Sequence, residues 1–382
     1  MRFLVVMLVL CIALAAASQP IVVPGEHTYL DDIVVEGEPP DTQTVWVYAT
    51  EMIRSIQDGV ALAESLTYAH PLAGHGYPGH VDTVLVMPGV YDSVRSFNTP
   101  LGRRDAVVSI SSDIVLLGDN RSGVKIDHSL AEYGILVQNV SGDAVISNLT
   151  IRGGMSRDKG LLDDGDGRLL AAAICCIEAA SPTIRDVDIK NGATGIVVRT
   201  GLSSADSAPV IEGVVVARGS HHGIYVYQNG STPVMIDRCT MVDNFDYGIY
   251  VSGGTVEVSN SALTHNGKNG IYGYLATPSV TYCNVYWNDQ MFPDSQTGPL
   301  NYGGALDDLT GVDGNISMEP YYCDFTGSAG YDYHVCATVP VSPHYQAGEG
   351  GVTIGALGAV CSGCQSPVEA SSWGAIKALY RN

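Results

Sequence analysis

The chain is poor in charge, and the charge it has is lopsided. Only 15% of its 382 residues are charged, and 40 Asp and Glu against 19 Lys and Arg leave a formal charge of −21. No basic patch can assemble from that supply, so nucleic-acid binding, which requires phosphates to be neutralised, is disfavoured. Anionic polymers are repelled too unless a cation bridges them. Past residue 18 no apolar run approaches the roughly 18 residues that cross a bilayer, so no membrane span is expected. Phe and Trp are scarce, with 5 and 3 copies against 21 Tyr, so the aromatic surface is almost entirely tyrosine.

What is present begins with MRFLVVMLVLCIALAAASQP, which joins one Arg, an apolar run from Phe3 to Leu14 and small residues from Ala15 to Ser18. That order reads as a signal peptide over residues 1–18, cleaved between Ala17 and Gln19. Cys11 follows Leu10 rather than a small residue, which argues against a lipid-anchored cysteine. The expected location is secreted, periplasmic or at the cell surface. Removing Cys11 from the 9 cysteines leaves an even number in a compartment that permits disulfides.

The dominant signal is a repeat, which decides the architecture before any local reading. One marker runs VISNLTI (145–151), TIRDVDI (183–189), VIEGVVV (210–216), MIDRCTM (235–241), EVSNSAL (257–263) and SVTYCNV (279–285). A second is Gly-Ile-x-Val or a near variant: GILV (134–137), AICC (173–176), GIVV (195–198), GIYV (223–226), GIYV (248–251) and GIYG (270–273). The second marker steps by 39, 22, 28, 25 and 22 residues and the first by 38, 27, 25, 22 and 22, so both keep one beat. Each is a short period-2 run rich in Val and Ile, bounded by turn residues, which is strand chemistry. About 22 residues per turn fits one coil of a parallel β-solenoid, and the preference of parallel crossovers makes it right-handed.

The segment from about 53 to 290 also resembles the secreted right-handed parallel β-helix proteins of the pectate-lyase-like superfold. The resemblance is carried by MIRSIQDGVALAESL, DTVLVMPGVYD (82–92) and IVLLGDNRSGVKID (114–127), which look like that superfold's opening coils. It implies an all-β right-handed parallel β-helix whose open end is covered by an N-terminal capping helix. It implies nothing specific about activity. The expected division is an N-terminal segment (19–52), the β-helix (53–297) and a C-terminal capping module with disulfides (298–382). Ile53, Ile56, Val60 and Ala63 form the stripe that would cover the end. Ala375, Ile376 and Leu379 in the final segment would dock on the other end.

Stacking converts scattered residues into columns. Ile184, Val187 and Ile189 are expected to face inward beneath Ile211, Val214 and Val216, at about 4.8 Å per rung. Asn191, Asn244, Asn266 and Asn288 are expected at the corner after the first strand, where stacked amides satisfy turn groups. Cys239 and Cys283 share an inward slot with Ser261 between them. Two rungs amount to roughly 9.6 Å, which is too far for a bridge, so both should be buried thiols. Cys175 and Cys176 point to opposite faces of one strand. Cys361 and Cys364 are read as a structural disulfide.

Tyr225, Tyr250 and Tyr272 are expected to form an outward column, with His221, His222, Asp246, Tyr247 and His265 on the same corner and the following strand. Two readings fit: a ladder that only steadies the strands, or a polysaccharide- or glycan-binding face with flat apolar surfaces and polar tips. The insertion MSRDKGLLDDGDGRLL (155–170) lengthens one coil and carries Asp163, Asp164 and Asp166, which suit calcium or simply a solvated loop. His70, His75 and His80 lie in a Gly and Pro loop with no element to orient them toward a metal. Sequons start at Asn120, Asn139, Asn148, Asn229 and Asn315. No lyase, polygalacturonase or pectin-methylesterase signature stands complete. The expected function is therefore an exported, monomeric glycan-binding β-helix. The alternative is a polysaccharide lyase or glycoside hydrolase acting on acidic polysaccharide with calcium.

Overall fold

The computed structural model describes residues 21–23, 55–69, 82–100, 102–154, 171–199, 206–227, 230–288, 300–325, 331–338 and 340–361. Residues 1–18, expected as a signal peptide, Ile53 of the expected capping stripe, His70, His75 and His80, the insertion with Asp163, Asp164 and Asp166, Asn229, Cys364, and the final segment with Ala375, Ile376 and Leu379 lie outside the described residues. Within them, no helix is long and apolar enough to cross a membrane.

The two markers fold into two parallel sheets that wind together as a β-helix. The first sheet stacks Asp82–Val86, Ile114–Gly118, Val145–Arg152, Thr183–Lys190, Val210–Glu212, Val234–Asp237, Val256–Ser259 and Ser279–Thr281 in sequence order. A second column on the same sheet continues each coil, as in Val215–Ala217, Thr240–Val242, Ala262–Thr264 and Asn284–Tyr286. The second sheet stacks the Gly-Ile strands from Tyr133–Gln138 through Ala172–Ile177, Thr194–Arg199, Ile224–Tyr227 and Ile249–Val251 to Ile271–Gly273 and Tyr302–Gly304.

Register brings identical positions into contact. Ile196 pairs with Ile224, Ile224 with Ile249 and Ile249 with Ile271, and all four are fully buried. On the first sheet Ile184 pairs with Ile211, and Ile189 with Val216. Burying each such side chain is worth about 1.5–3 kcal/mol, so the interior file, repeated coil after coil, dominates the stability.

Two left-handed residues per coil turn the chain. Asn148, Asp186, Gly213, Arg238, Asn260 and Tyr282, with φ between 47° and 63°, mark the bend between the two columns of the first sheet. Asn191, Arg218, Asp243, His265 and Trp287, with φ between 47° and 59°, mark the corner that follows. Asn191 therefore holds the turn position and is exposed, rather than joining the stacked amides. The true ladder sits one residue on. Asn244 Nδ2 donates to Asn266 Oδ1 at 3.0 Å, Asn266 Nδ2 to Asn288 Oδ1 at 3.0 Å and Asn288 Nδ2 to Asn301 Oδ1 at 3.1 Å. Each of these three amides also donates to a backbone carbonyl, of Val216, Met241 and Leu263.

The Gly that opens each Gly-Ile strand is required by approach. A Cβ on Gly223 would lie 2.4 Å from the Gly248 carbonyl oxygen, and one on Gly248 2.5 Å from that of Gly270.

At the N-terminal end the helix Ile56–Ala69 covers the open coil, with Ile56, Val60 and Ala63 buried. Ser55 caps it through Asp58, whose backbone N–H donates to Ser55 Oγ. Gln57 closes the edge by accepting from Ser109 N at 2.6 Å and donating to Ser109 O at 3.3 Å. One rung was not anticipated: Ile21–Val23 pairs in parallel with Asp82–Val86.

At the other end Ile316 adds a bridge to Asn284, and Leu306 is buried over the last coil. The chain then folds back as a three-stranded sheet, Tyr322–Asp324, Asp332–Cys336 and Ala359–Cys361. Tyr322, Tyr333 and Val335 from this module are buried against Val215, Ala217 and Val242 on the outer face of the first sheet. The module thus covers a flank as well as following an end. Cys361 bonds to Cys323, not to Cys364 three residues on, because the module's strands bring 323 and 361 to a Cα separation of 6.0 Å. Cys175, Cys176, Cys239 and Cys283 are buried free thiols, and Ser261 Oγ accepts from Cys239 N between the last two.

Candidate functional site

The corner that leads into the second sheet has the same length in three successive coils, from Arg218, Asp243 and His265 to Gly223, Gly248 and Gly270, so its residues stack as columns. Asp246 N donates to His221 O, and Lys268 N donates to Asp246 O, which puts His221, Asp246 and Lys268 in one file. Their side chains close on the carboxylate. Lys268 Nζ lies 2.7 Å from Asp246 Oδ1, and His221 Nδ1 lies 3.3 Å from Asp246 Oδ2. His222 Nδ1 stands 4.0 Å from the same oxygen, beyond hydrogen-bond range. Burial alone would raise the Asp246 carboxyl, but the His221 contact and the Lys268 ammonium hold it well below the usual carboxylate range.

The adjoining strand supplies the rings. Tyr225 pairs with Tyr250 and Tyr250 with Tyr272 in register, so the outward side chains form a row. His222 stacks on Tyr250 at 5.3 Å and 12°, and Tyr250 stacks on Tyr272 at 5.5 Å and 3°. Tyr247 leans against the row, 5.1 Å from Tyr250 and 5.0 Å from Tyr272, with Lys268 Nζ 5.0 Å above its ring. Gly303 follows Tyr272 in register, so no further side chain continues the row.

This geometry differs from an open column of flat faces. Tyr225 is buried at 1% exposure, within an apolar cluster that includes Leu136, Cys175 and Val197 on the outer side of this sheet. Tyr247, Tyr250 and Tyr272 are half-buried. Because the rings of Tyr250 and Tyr272 lie on one another, the row presents edges and phenolic tips rather than broad faces. His265 stands apart from the cluster. As a left-handed corner residue it contacts Tyr286, Trp287 and Phe325, its ring 4.4 Å from that of Phe325.

Burial pushes the His222 imidazole down to about 4, so it is neutral at physiological pH, and its Nδ1 has no hydrogen-bond partner. Burial likewise pushes the Tyr247 phenol up to about 12, so it stays a hydroxyl that can donate. Lys268 was missed in the sequence. Aligning NFDY (244–247) with NGKN (266–269) from the first Asn places Lys268 directly over Asp246, which was the available signal. No group of three or more His, Cys, Asp or Glu side chains is placed to hold a metal among the described residues.

A family model described as the right handed beta helix region matches residues 103–261. It agrees with the winding of the two sheets and gives its hand. Among solved structures, the A-module of the mannuronan C-5 epimerase AlgE4 of Azotobacter vinelandii is 16% identical, with 61% of this chain and 74% of that chain covered and a TM-score of 0.31. The A-module of AlgE6 from the same organism is 12% identical, with 61% and 72% covered and a TM-score of 0.28. No curated protein matches the chain.

Proposed function

We propose that this right-handed parallel β-helix binds a polysaccharide or cell-surface glycan on the outward ring row of its second sheet, as a monomer outside the cell or in the periplasm. The observation that carries the reading is the juxtaposition of half-buried Tyr247, Tyr250 and Tyr272 with the Asp246–Lys268 pair. Aromatic edges offer apolar contact to a sugar's C–H groups, while phenols, a carboxylate and an ammonium serve its hydroxyls. His222, Tyr225 and His221 brace the row from one side. Calcium in the insertion with Asp163, Asp164 and Asp166 belongs to the same proposal as a bridge to acidic chains in a molecule of charge −21.

The test is a glycan array probed with the full chain and with Tyr250→Ala. The variant is expected to lose at least tenfold in affinity for the bound glycan, with the fold kept. Equal binding by the two proteins would remove the site from consideration.

A second reading is catalysis on an acidic polysaccharide, as a lyase or hydrolase. The observation in its favour is the neutral His222 with an unpartnered Nδ1 beside the tyrosine row, a base in waiting. Incubation with polyuronates and calcium, followed by ultraviolet absorbance for unsaturated ends and by a reducing-end assay, decides it. A broad substrate panel that yields neither product leaves binding alone.

A further inference from the structure

The seam between the C-terminal module and the first sheet holds a second concavity, on a different sheet from the ring row. Two adjoining cavities of about 350 and 340 Å³ meet at Leu357, which lines both. Each is of the size that small-molecule sites occupy. One wall is solenoid, the other is the module backbone from Val352 to Gly358 together with Tyr331, Tyr333 and His334.

The charges along this seam are unusual for the chain. Arg121, Arg185, Lys190 and Arg238 line it, against Asp186, Asp188, Glu212 and Asp332, so the groove is neutral in a molecule that carries −21. Three of the cations are already engaged. Arg121 lies 2.6 Å from Asp188, Lys190 lies 3.1 Å from the same carboxylate, and Arg238 pairs with Glu212 and Asp237. Arg185 is exposed and makes no ion pair or side-chain hydrogen bond with a described residue. At the other end, the Tyr333 side chain is 2% exposed and its hydroxyl has no hydrogen-bond partner.

We infer that this groove is a binding site for an acidic oligosaccharide, distinct from the ring row. An oxyacid group of the sugar, carboxylate or sulfate ester, sits on the Arg185 guanidinium, whose fork of N–H donors matches two oxygens at once. A neighbouring sugar ring meets the edge of Tyr331, whose face Arg218 covers at 3.9 Å, and a sugar hydroxyl takes up the Tyr333 phenol. The carboxylates of the groove have partners: Arg121 and Lys190 on Asp188, Arg121 3.9 Å from Asp186, Arg238 on Glu212, and His334 Nδ1 on Asp332, which leaves Arg185 as the cation open to a ligand. The inference stands on residues that the ring row does not use, so either site can fail alone.

The experiment titrates the full chain with three probes: a uronate oligosaccharide, its carboxyl-reduced counterpart, and a sulfated oligosaccharide of neutral sugars. Arg185→Gln is compared with the unmodified chain. Arg185 is exposed and unpaired, so a thermal melt is expected to show the variant folded. At least one acidic probe is expected to bind, with affinity lost at least tenfold in Arg185→Gln and at least tenfold weaker for the carboxyl-reduced probe. Whichever acidic probe binds identifies the oxyacid group. Tyr250→Ala separates the two faces: it removes ring-row binding and spares the Arg185-dependent component. The inference is overturned by an Arg185→Gln affinity within twofold for the acidic probe that binds, by a carboxyl-reduced probe that binds as well as a uronate that itself binds, or by the absence of binding to both acidic probes. In any of those cases the Tyr250 result still stands or falls by itself.

Discussion

At the scale of single residues, the buried imidazoles set how the protein responds to acid. Burial depresses His128 and His222 to about 4, and His265 and His344 to about 3, from a usual 6.5. Between those values and 6.5 the unfolded chain binds protons that the folded chain refuses, so stability is complete above 6.5 and is lost as pH falls through that window. Asp243 works the other way. Burial raises it from 3.8 to about 7, so between those values the folded state holds a proton the unfolded state lacks, and stability rises on acidification. Four groups oppose one, each worth about 1.4 kcal/mol per pH unit where its states differ. Urea midpoints are therefore expected to fall steadily from pH 7 to pH 4.5, and a flat profile over that range would contradict the burial of these imidazoles.

Single residues were also where the sequence was hardest to read. The inward file of Ile and the buried thiols followed from alternation, which a period-2 pattern fixes. A one-residue shift in the corner alignment was enough to put Asn191 in the ladder instead of at the turn, whereas Lys268 over Asp246 stood in the Asn244–Asn266 alignment and was not read from it. Corners carry no alternation, so only the backbone conformation of Asn191, Arg218, Asp243 and His265 settles their alignment.

At the scale of elements, the asparagine ladder is the part of the coil that side chains rather than backbone hold together. Asn266 is fully buried, accepts from Asn244 N and Nδ2, and donates to Met241 O and Asn288 Oδ1. Asn266→Ala leaves these groups without partners in a dry interior, at a cost of about 2–3 kcal/mol. Chemical unfolding monitored by circular dichroism is expected to show that loss. A change below 0.5 kcal/mol would mean water replaces the amide. Strand order and the capping helix were legible because repeated Val and Ile positions and the Ile56, Val60, Ala63 stripe state them openly. A disulfide-closed C-terminal module was expected, but its place and its pairing were not legible, since its strands are short and Tyr-rich and no local pattern says that they turn back along the flank or that Cys361 meets Cys323. The sequon at Asn315 shows the same limit: its side chain is 1% exposed and bonded to Cys283 N and Val280 O, so glycosylation there is excluded.

At the scale of the whole molecule, the β-helix acts as a ruler. Its rungs, about 4.8 Å apart, place one side chain per coil in each file, so a surface several coils long is written by one repeated position. The second sheet uses this to grade its outer face, from apolar and fully buried at Leu136, Cys175 and Val197 to half-buried tyrosine at Tyr250 and Tyr272. The first sheet uses it to seat the module. Two surfaces of different chemistry thus share one scaffold, and the ring row is the one on which the proposed function depends. Crystals of the full chain soaked with the glycan selected on the array test that dependence most directly. The account predicts ordered sugar in contact with Tyr250, Tyr272 and the Asp246–Lys268 pair; ordered sugar elsewhere with this row bare would contradict it.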